Sequence, residues 1–372
     1  VANGKLVLAV AGSGKTYYIA EKINSLERNI VITFTNRNVR NLEDEIKKQH
    51  GQIPINTIVI TFAKFVYQWL IKPIEPHLVV GNITGINSKG LDLYTPLEKP
   101  WNGKEYNHKY YKKDHHRHYL TSGNKLYIGR MVNLFNDQKS PVKKLAYERL
   151  NRFCDAVYID EVQDFVGADY DLLKQLYNLK KPYVLGVGDF NQHSVSKTNY
   201  TTTRPFKKQK RDISSIEYID GFGKKIDVDI TTLTKSRRVP EATSEFIREK
   251  LNINIVSRSG ENGCITLLTD LADIEKKINS QDVDKIVYNN AKRYDIKPLT
   301  TWSYCKGDTL KNTCIILTST FEDIMSKNFT LEGISQQEIN KLYVALTRAT
   351  NMTYLVRPLD FRKVVQNSSS SK

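Results

Sequence analysis

Two glycines, a lysine and a threonine stand close together in L-A-V-A-G-S-G-K-T-Y-Y-I, Leu8 to Ile19. Glycines at such spacing let the backbone curl until its N–H groups face one point, and a lysine followed by a hydroxyl suits a polyphosphate with a divalent cation. Ala11, Gly12, Ser13 and Gly14 are then the cradle, Lys15 reaches the β- and γ-phosphates of ATP, and Thr16 ligates Mg²⁺. Tyr17 and Tyr18 follow at once, although a phosphate cradle does not need them. A second group, V-Y-I-D-E-V-Q-D-F from Val157 to Phe165, ends an apolar run on adjacent carboxylates. Asp160 suits the Mg²⁺ shell and Glu161 the base that polarises an attacking water. A third, L-G-V-G-D-F-N-Q-H from Leu185 to His193, places Gln192 where it can touch a γ-phosphate or orient that water.

Such groups must be delivered by strand ends, and the surrounding pattern supplies them. Strands are expected over Lys5–Val10, Asn29–Phe34 and Thr57–Thr61, with helices over Lys15–Leu26 and Asn38–Lys48 between them. That alternation makes a parallel sheet with helices on its faces, and ligands gather at the carboxyl ends of its strands. From about Tyr67 to Leu120 the pattern gives way to Gly, Pro, Asn, Tyr and His, densest in Y-N-H-K-Y-Y-K-K-D-H-H-R-H-Y, and reads as an insertion. Helices at Lys125–Phe135 and Pro141–Phe153 and strands at Ala156–Ile159 and Tyr183–Val187 resume the first domain. After the basic stretch R-P-F-K-K-Q-K-R, Arg204 to Arg211, a second alternating region has strands at Ile230–Leu233, Cys264–Leu268, Lys285–Tyr288 and Thr313–Leu317. Its helices are expected at Glu241–Leu251, Leu271–Ser280 and Gln336–Leu346.

The formal charge of +16 over 372 residues points to a polyanionic partner, of which nucleic acid is the common one; the alternative is a basic surface kept for solubility. Cys154, Cys264, Cys305 and Cys314 are scattered and form no C-x-x-C pair, which supports neither a disulfide framework nor a zinc site. The H-H-R-H cluster lacks a completing cysteine or carboxylate set and reads as a solvated basic loop. No apolar run approaches the roughly 18 residues of a membrane span, so a soluble, cytoplasmic protein is expected.

Taken in order, these segments resemble a superfamily 1 helicase, closest to the UvrD/Rep/PcrA group. A-G-S-G-K-T resembles motif I, I-T-F-T-N-R motif Ia, I-T-F-A-K-F motif Ib, D-E-V-Q-D motif II and G-D-F-N-Q motif III. Later, L-T-K-S-R-R resembles motif IV, T-W-S-Y-C-K-G-D-T motif V and L-Y-V-A-L-T-R-A motif VI. The resemblance implies an α/β fold of two tandem RecA-like P-loop domains with parallel sheets and a small insertion in the first. The boundaries expected are 1–66 and 123–228 for the first domain, 67–122 for the insertion, 229–366 for the second domain and 367–372 for a disordered tail. It implies ATP between the domains, single-stranded DNA or RNA across them, and Arg238 and Arg348 as arginine fingers. Phe34, Thr35, Asn36, Thr61, Phe62 and Lys64 match segments that meet nucleic acid, Ser303 stands in motif V, and Gly307 falls with the nucleotide groups.

The chain also departs from that family. The family's upstream glutamine that reads adenine is not visible, since only eight residues precede Ala9; either base selectivity for ATP is relaxed or that segment is missing from this chain. An H-S-V-S-K-T stretch replaces the usual base-stacking segment after motif III, leaving His193 or Tyr200 to make that contact. The family's arginine after motif I and tyrosine in motif IV are here Tyr17 and Arg237, so these two are expected to clasp adenine from opposite faces while Tyr18 is core. Arg238 to Thr301 leaves no room for the large subdomain of UvrD-type enzymes. Three functions follow: an ATP-dependent translocase or helicase; a DNA-stimulated ATPase subunit of a larger nuclease or defence/repair complex, with a nuclease as protein partner; or a nucleotide-gated nucleic-acid-binding protein.

Overall fold

Short, evenly apolar runs bounded by turns favour strands buried on both faces, and the chain uses them in that way. The first sheet holds β1 (Gly4–Ala9), β2 (Asn29–Thr33), β3 (Thr57–Thr61), β4 (Ala156–Asp160), β5 (Tyr183–Gly188) and β6 (Asp227–Leu233), in the order β6-β1-β5-β4-β2-β3. β2 is parallel to β3 and β4, and β4 to β5, with Ile32 opposite both Ile60 and Ile159. β2 and β4 are buried at every position. The longer helices are α1 (Lys15–Lys22), α2 (Asn36–His50), α3 (Ile128–Asn136), α4 (Ser140–Phe153) and α5 (Ala168–Tyr177).

The computed structural model describes residues 4–93, 110–193, 214–223 and 226–370. It divides into two compact units, one of residues 1–6, 16–187 and 197–228, the other of residues 7–15, 188–196 and 229–372. The phosphate-loop segment and the segment that follows β5 therefore group with the second unit. The basic stretch Arg204 to Arg211, Tyr200 and the first four residues of the Tyr106 to Tyr119 run lie outside the described residues.

Between β3 and α3 the described residues of the first unit form short elements. A helical run from Phe62 to His77 changes from α to π to 3-10 geometry, then Val79–Val80 pairs with Ile83–Thr84 and Leu91–Asp92 with Leu126–Tyr127.

The second unit is built on β7 (Cys264–Leu268), β8 (Asp284–Val287), β9 (Leu299–Thr301), β10 (Leu310–Ile316) and β11 (Ala349–Val356). Their order is β7-β11-β10-β8-β9 and every pair is parallel. Its helices are α6 (Glu241–Leu251), α7 (Leu271–Asn279), α8 (Gln336–Leu346) and α9 (Pro358–Ser370). Side chains alternate along β10: Ile315 joins a core with Ile247, Trp302 and Tyr343, while Cys314 and Ile316 join another with Ile274 and Phe361. Such alternation requires cover on both faces, and the fold is a mixed α/β one with parallel sheets, consistent with RecA-like P-loop domains. The backbone of α9 continues as helix to Ser370, through most of the stretch expected as a disordered tail. Among the described residues no helix is long and apolar enough to cross a membrane.

Candidate nucleotide and nucleic-acid sites

In the second unit the loop after β1 has the backbone that its glycines allow: Gly12 and Gly14 take φ of 72° and 90°, a region that costs other residues about 1–2 kcal/mol. Val10 N–H donates to Leu233 O at 2.9 Å and Ser13 N–H to Val10 O at 3.3 Å. Arg237 N–H donates to Gly12 O at 2.9 Å, so the Lys235–Val239 turn closes over the loop. A methyl group on Gly12 would lie 2.6 Å from Ser236 Oγ and 2.8 Å from Arg238 Cβ. Gly12→Ala thus combines a disfavoured φ with overpacking, which in a tight core costs about 1–3 kcal/mol. We expect a lower Tm together with weakened ATP binding, to be measured by thermal melting and by titration with a fluorescent ATP analogue.

Arg238 and Arg348 come together beside that loop. Arg238 Nη1 donates to Asp308 O at 3.2 Å and to Thr309 Oγ1 at 3.4 Å, and its Nε is buried with no hydrogen-bond partner among the described residues. Arg348 is 1% exposed; it donates from Nε to Val344 O (2.8 Å), from Nη2 to Thr347 Oγ1 (3.0 Å) and from Nη1 to the same Asp308 O (3.4 Å). Next to that carbonyl, Gly307 takes φ of 92°.

Two guanidiniums thus converge on one neutral carbonyl. Burial, and after it the charge of Arg348, push Arg238 down to about 9. A phosphate anion arriving there favours the charged form. The predicted consequence is that ATP affinity stays level around neutral pH and falls as pH rises through about 9, where Arg238 loses its proton. Titrations with the fluorescent analogue across that range, repeated on Arg238→Gln, should show the fall only in the unsubstituted chain.

Residues that the sequence reading passed over tie the loop to Gln192. Ala11 N–H donates to Tyr343 Oη at 2.9 Å, and Tyr343 O–H donates to Asp189 Oδ2 at 3.2 Å. Gln192 Nε2 donates to the same carboxylate oxygen at 2.7 Å and Asn191 N–H to Oδ1 at 3.1 Å. Asp189 lies in G-D-F-N-Q and Tyr343 in L-Y-V-A-L-T-R-A, segments whose spacing alone assigns neither residue a role.

In the first unit, buried β4 carries Asp160, itself 5% exposed, at its carboxyl end. Glu161 follows with φ 56° and ψ 46°, left-handed for a side-chain-bearing residue, and Gln163 donates its amide to the Glu161 carboxylate. Thr16 and Asp160 have the oxygen donors that Mg²⁺ prefers. Tyr17 is 41% exposed, whereas Tyr18 at 7% is packed inside.

The nucleic-acid candidates divide. Phe34, partly exposed, lies on an aromatic cluster with Phe165 at 4.8 Å and Phe62 at 5.7 Å. Thr35 caps α2 by accepting from Asn38 N–H, and Asn36 and Lys64 are exposed. Thr61 is buried and accepts from Lys64 N–H. Phe62, expected to meet a strand, is 1% exposed and edge-on to Phe165, so its ring supports Phe34 from behind. In the second unit Ser303 is partly buried. His193 is 6% exposed, its ring parallel to Phe190 at 5.0 Å and its carbonyl held by Asn340 Nδ2 at 2.9 Å, which leaves little of it for a base.

A family model described as an AAA domain matches residues 2–197. Among solved structures, the chain is similar to the PRRSV helicase, at 11% identity and a TM-score of 0.46, over 96% of this chain and 53% of that one. It is also similar to Arterivirus nonstructural protein 10 (helicase), solved in complex with DNA, at 14% identity and a TM-score of 0.46, over 97% of this chain and 63% of that one. The chain thus spans a little over half to just under two thirds of these proteins. No curated protein matches it.

Proposed function

The chain belongs to the AAA domain family, and from that premise we propose that it is an ATP-dependent nucleic-acid motor of the superfamily 1 type, nearest the UvrD/Rep/PcrA group. It binds single-stranded DNA and couples ATP hydrolysis to movement along the strand. The observation that carries this reading is the meeting of Arg238 and Arg348 at one carbonyl beside the glycine loop, with Arg238 Nε buried and lacking an acceptor among the described residues. A binding module that only holds nucleotide has no use for two such arginines, whereas transferring phosphoryl charge does.

The residues then take these roles. The N–H groups of residues 11–14 and Lys15 hold the phosphates, and Thr16 and Asp160 hold Mg²⁺, which neutralises charge on the β- and γ-phosphates. Glu161 accepts the proton of the attacking water, Gln192 orients that water, and Arg238 and Arg348 stabilise the charge that develops. Tyr17 and Arg237 clasp the adenine. On the strand side, Phe34 stacks on a base, Thr35, Asn36 and Ser303 meet the backbone, and Lys64 meets a phosphate. The proposed organisation is two RecA-like domains, 1–66 with 123–228 and 229–366, and an insertion at 67–122.

The test is ATP hydrolysis with and without single-stranded DNA and RNA. Marked stimulation by one polymer is expected, and hydrolysis indifferent to both would sink the motor reading. Binding should weaken steeply with salt, log K falling linearly with log salt at about −0.7 per phosphate contact. A second reading, a DNA-stimulated ATPase subunit of a larger complex with no unwinding of its own, is favoured by one feature. The interval from Arg238 to Thr301 is filled by α6, β7, α7, β8 and β9 of the second unit itself, with no subdomain added. Stimulated hydrolysis without strand separation would select that reading.

A further inference from the structure

The buried phenol of Tyr343 lies at the middle of a polar chain that no phosphate-binding role requires. It accepts from Ala11 N–H on the glycine loop and donates to Asp189, whose carboxylate also holds the Gln192 amide. Tyr343 and Asp189 are both 0% exposed, so no water competes for these bonds. Burial, with the Asp189 charge second, holds the phenol well above its ordinary range, which keeps it a donor. α8 supplies the tyrosine, and the backbone five residues on supplies Arg348, whose Nε is fixed to the Val344 carbonyl of the same helix.

We infer that Tyr343 and Asp189 are positioning residues that lock the glycine loop, Gln192 and the Arg348 end of α8 into one rigid arrangement, so that phosphate seated on the loop is registered by Gln192 and the arginine together. Neither residue need touch ATP: Tyr343 acts through the Ala11 amide and Asp189 through the Gln192 amide. Removing the phenol oxygen frees the loop amide and one lone pair of Asp189 at the same time. Replacing Asp189 by asparagine leaves one side-chain oxygen for the Tyr343, Gln192 and Asn191 donors, so in either orientation its NH2 faces a donor, and the charge that strengthens the Tyr343 and Gln192 bonds is lost. Either change breaks the same chain, so making both should cost little more than making one.

The inference rests on the motor reading, and the experiment separates the two. Steady-state ATP hydrolysis, with saturating single-stranded DNA or RNA, is measured for the unsubstituted chain, Tyr343→Phe, Asp189→Asn and the double variant. A chain without polymer-stimulated hydrolysis overturns the motor reading itself. With stimulation present, each single variant should lose about tenfold or more in kcat with a much smaller change in KM for ATP, and the double variant should match the weaker single. Losses that multiply in the double variant, or a kcat unchanged in Tyr343→Phe, overturn the relay. Thermal melting accompanies each assay. If Tyr343→Phe does not fold, Asp189→Asn carries the test alone: kcat lowered at unchanged KM supports the relay, and an unchanged kcat overturns it.

Discussion

Replacing Arg348 by lysine should lower polymer-stimulated ATP hydrolysis by about 10³-fold or more, the scale on which an arginine finger acts in other phosphoryl-transfer enzymes. Charge is conserved in this substitution, so the loss must come from shape. The guanidinium of Arg348 directs separate N–H groups to Val344 O, Thr347 Oγ1 and Asp308 O. An ammonium is a compact point charge on a flexible stem and cannot span three acceptors at fixed angles while also facing a γ-phosphate. A thousandfold loss corresponds to about 4 kcal/mol of transition-state stabilisation. Arg348 is 1% exposed, so a purely structural arginine here could also cost several kcal/mol on substitution, but that cost would fall on folding stability, and thermal melting of the variant therefore accompanies the assay. Single-turnover hydrolysis with saturating ATP separates the chemical step from binding. Near-normal turnover by Arg348→Lys would show that Arg348 serves α8 rather than phosphate, and would withdraw the observation on which the proposed function leans.

The parts legible in the sequence were those fixed by neighbours along the chain. The glycine loop and its two positive φ angles, and the helix α6 with the limits Glu241 and Leu251, depend on local residues and periodicity alone. β11 was not anticipated. A-T-N-M-T-Y-L-V mixes polar and apolar residues without a strand's clean alternation, yet it lies between β7 and β10 and pairs with both. Its strand state is set by those partners, Cys264 to Leu268 and Leu310 to Ile316, not by its own preference. Phe62 shows a similar limit at the level of one side chain. Periodicity places it at a strand end but cannot tell an offered ring from a packed one; its contacts with Phe34 and Phe165, the latter about a hundred residues away, decide the matter. The Ala11, Tyr343, Asp189 chain spans more than three hundred residues and leaves no spacing signature, since each residue is unremarkable within its own motif.

Glu161 gives the other large effect, and it divides stability from chemistry. Its φ of 56° lies in a region that costs a side-chain-bearing residue about 1–3 kcal/mol and persists only when the surroundings hold it there. Glycine adopts that conformation without the steric penalty, at an entropic cost of roughly 0.5–1 kcal/mol. Glu161→Gly should therefore melt at the same temperature as the unsubstituted chain or slightly above it, although it deletes a side chain that accepts a hydrogen bond from Gln163. Glu161→Gln keeps the shape, the left-handed backbone and an oxygen for the Gln163 amide, and loses only the capacity to take a proton. Both variants should bind ATP and single strands, and both should lose roughly 10²- to 10⁴-fold in hydrolysis, the range that a positioned general base supplies. Melting curves and stimulated turnover on the same preparations provide the check. Hydrolysis near the unsubstituted level in Glu161→Gln would move the base elsewhere, and a clearly lower melting temperature in Glu161→Gly would mean that the strained backbone is stabilised by the carboxylate's own contacts. Loss of turnover with stability retained is the pattern expected if the strained turn is kept to aim one carboxylate at water, because a residue held only for packing would lose both together.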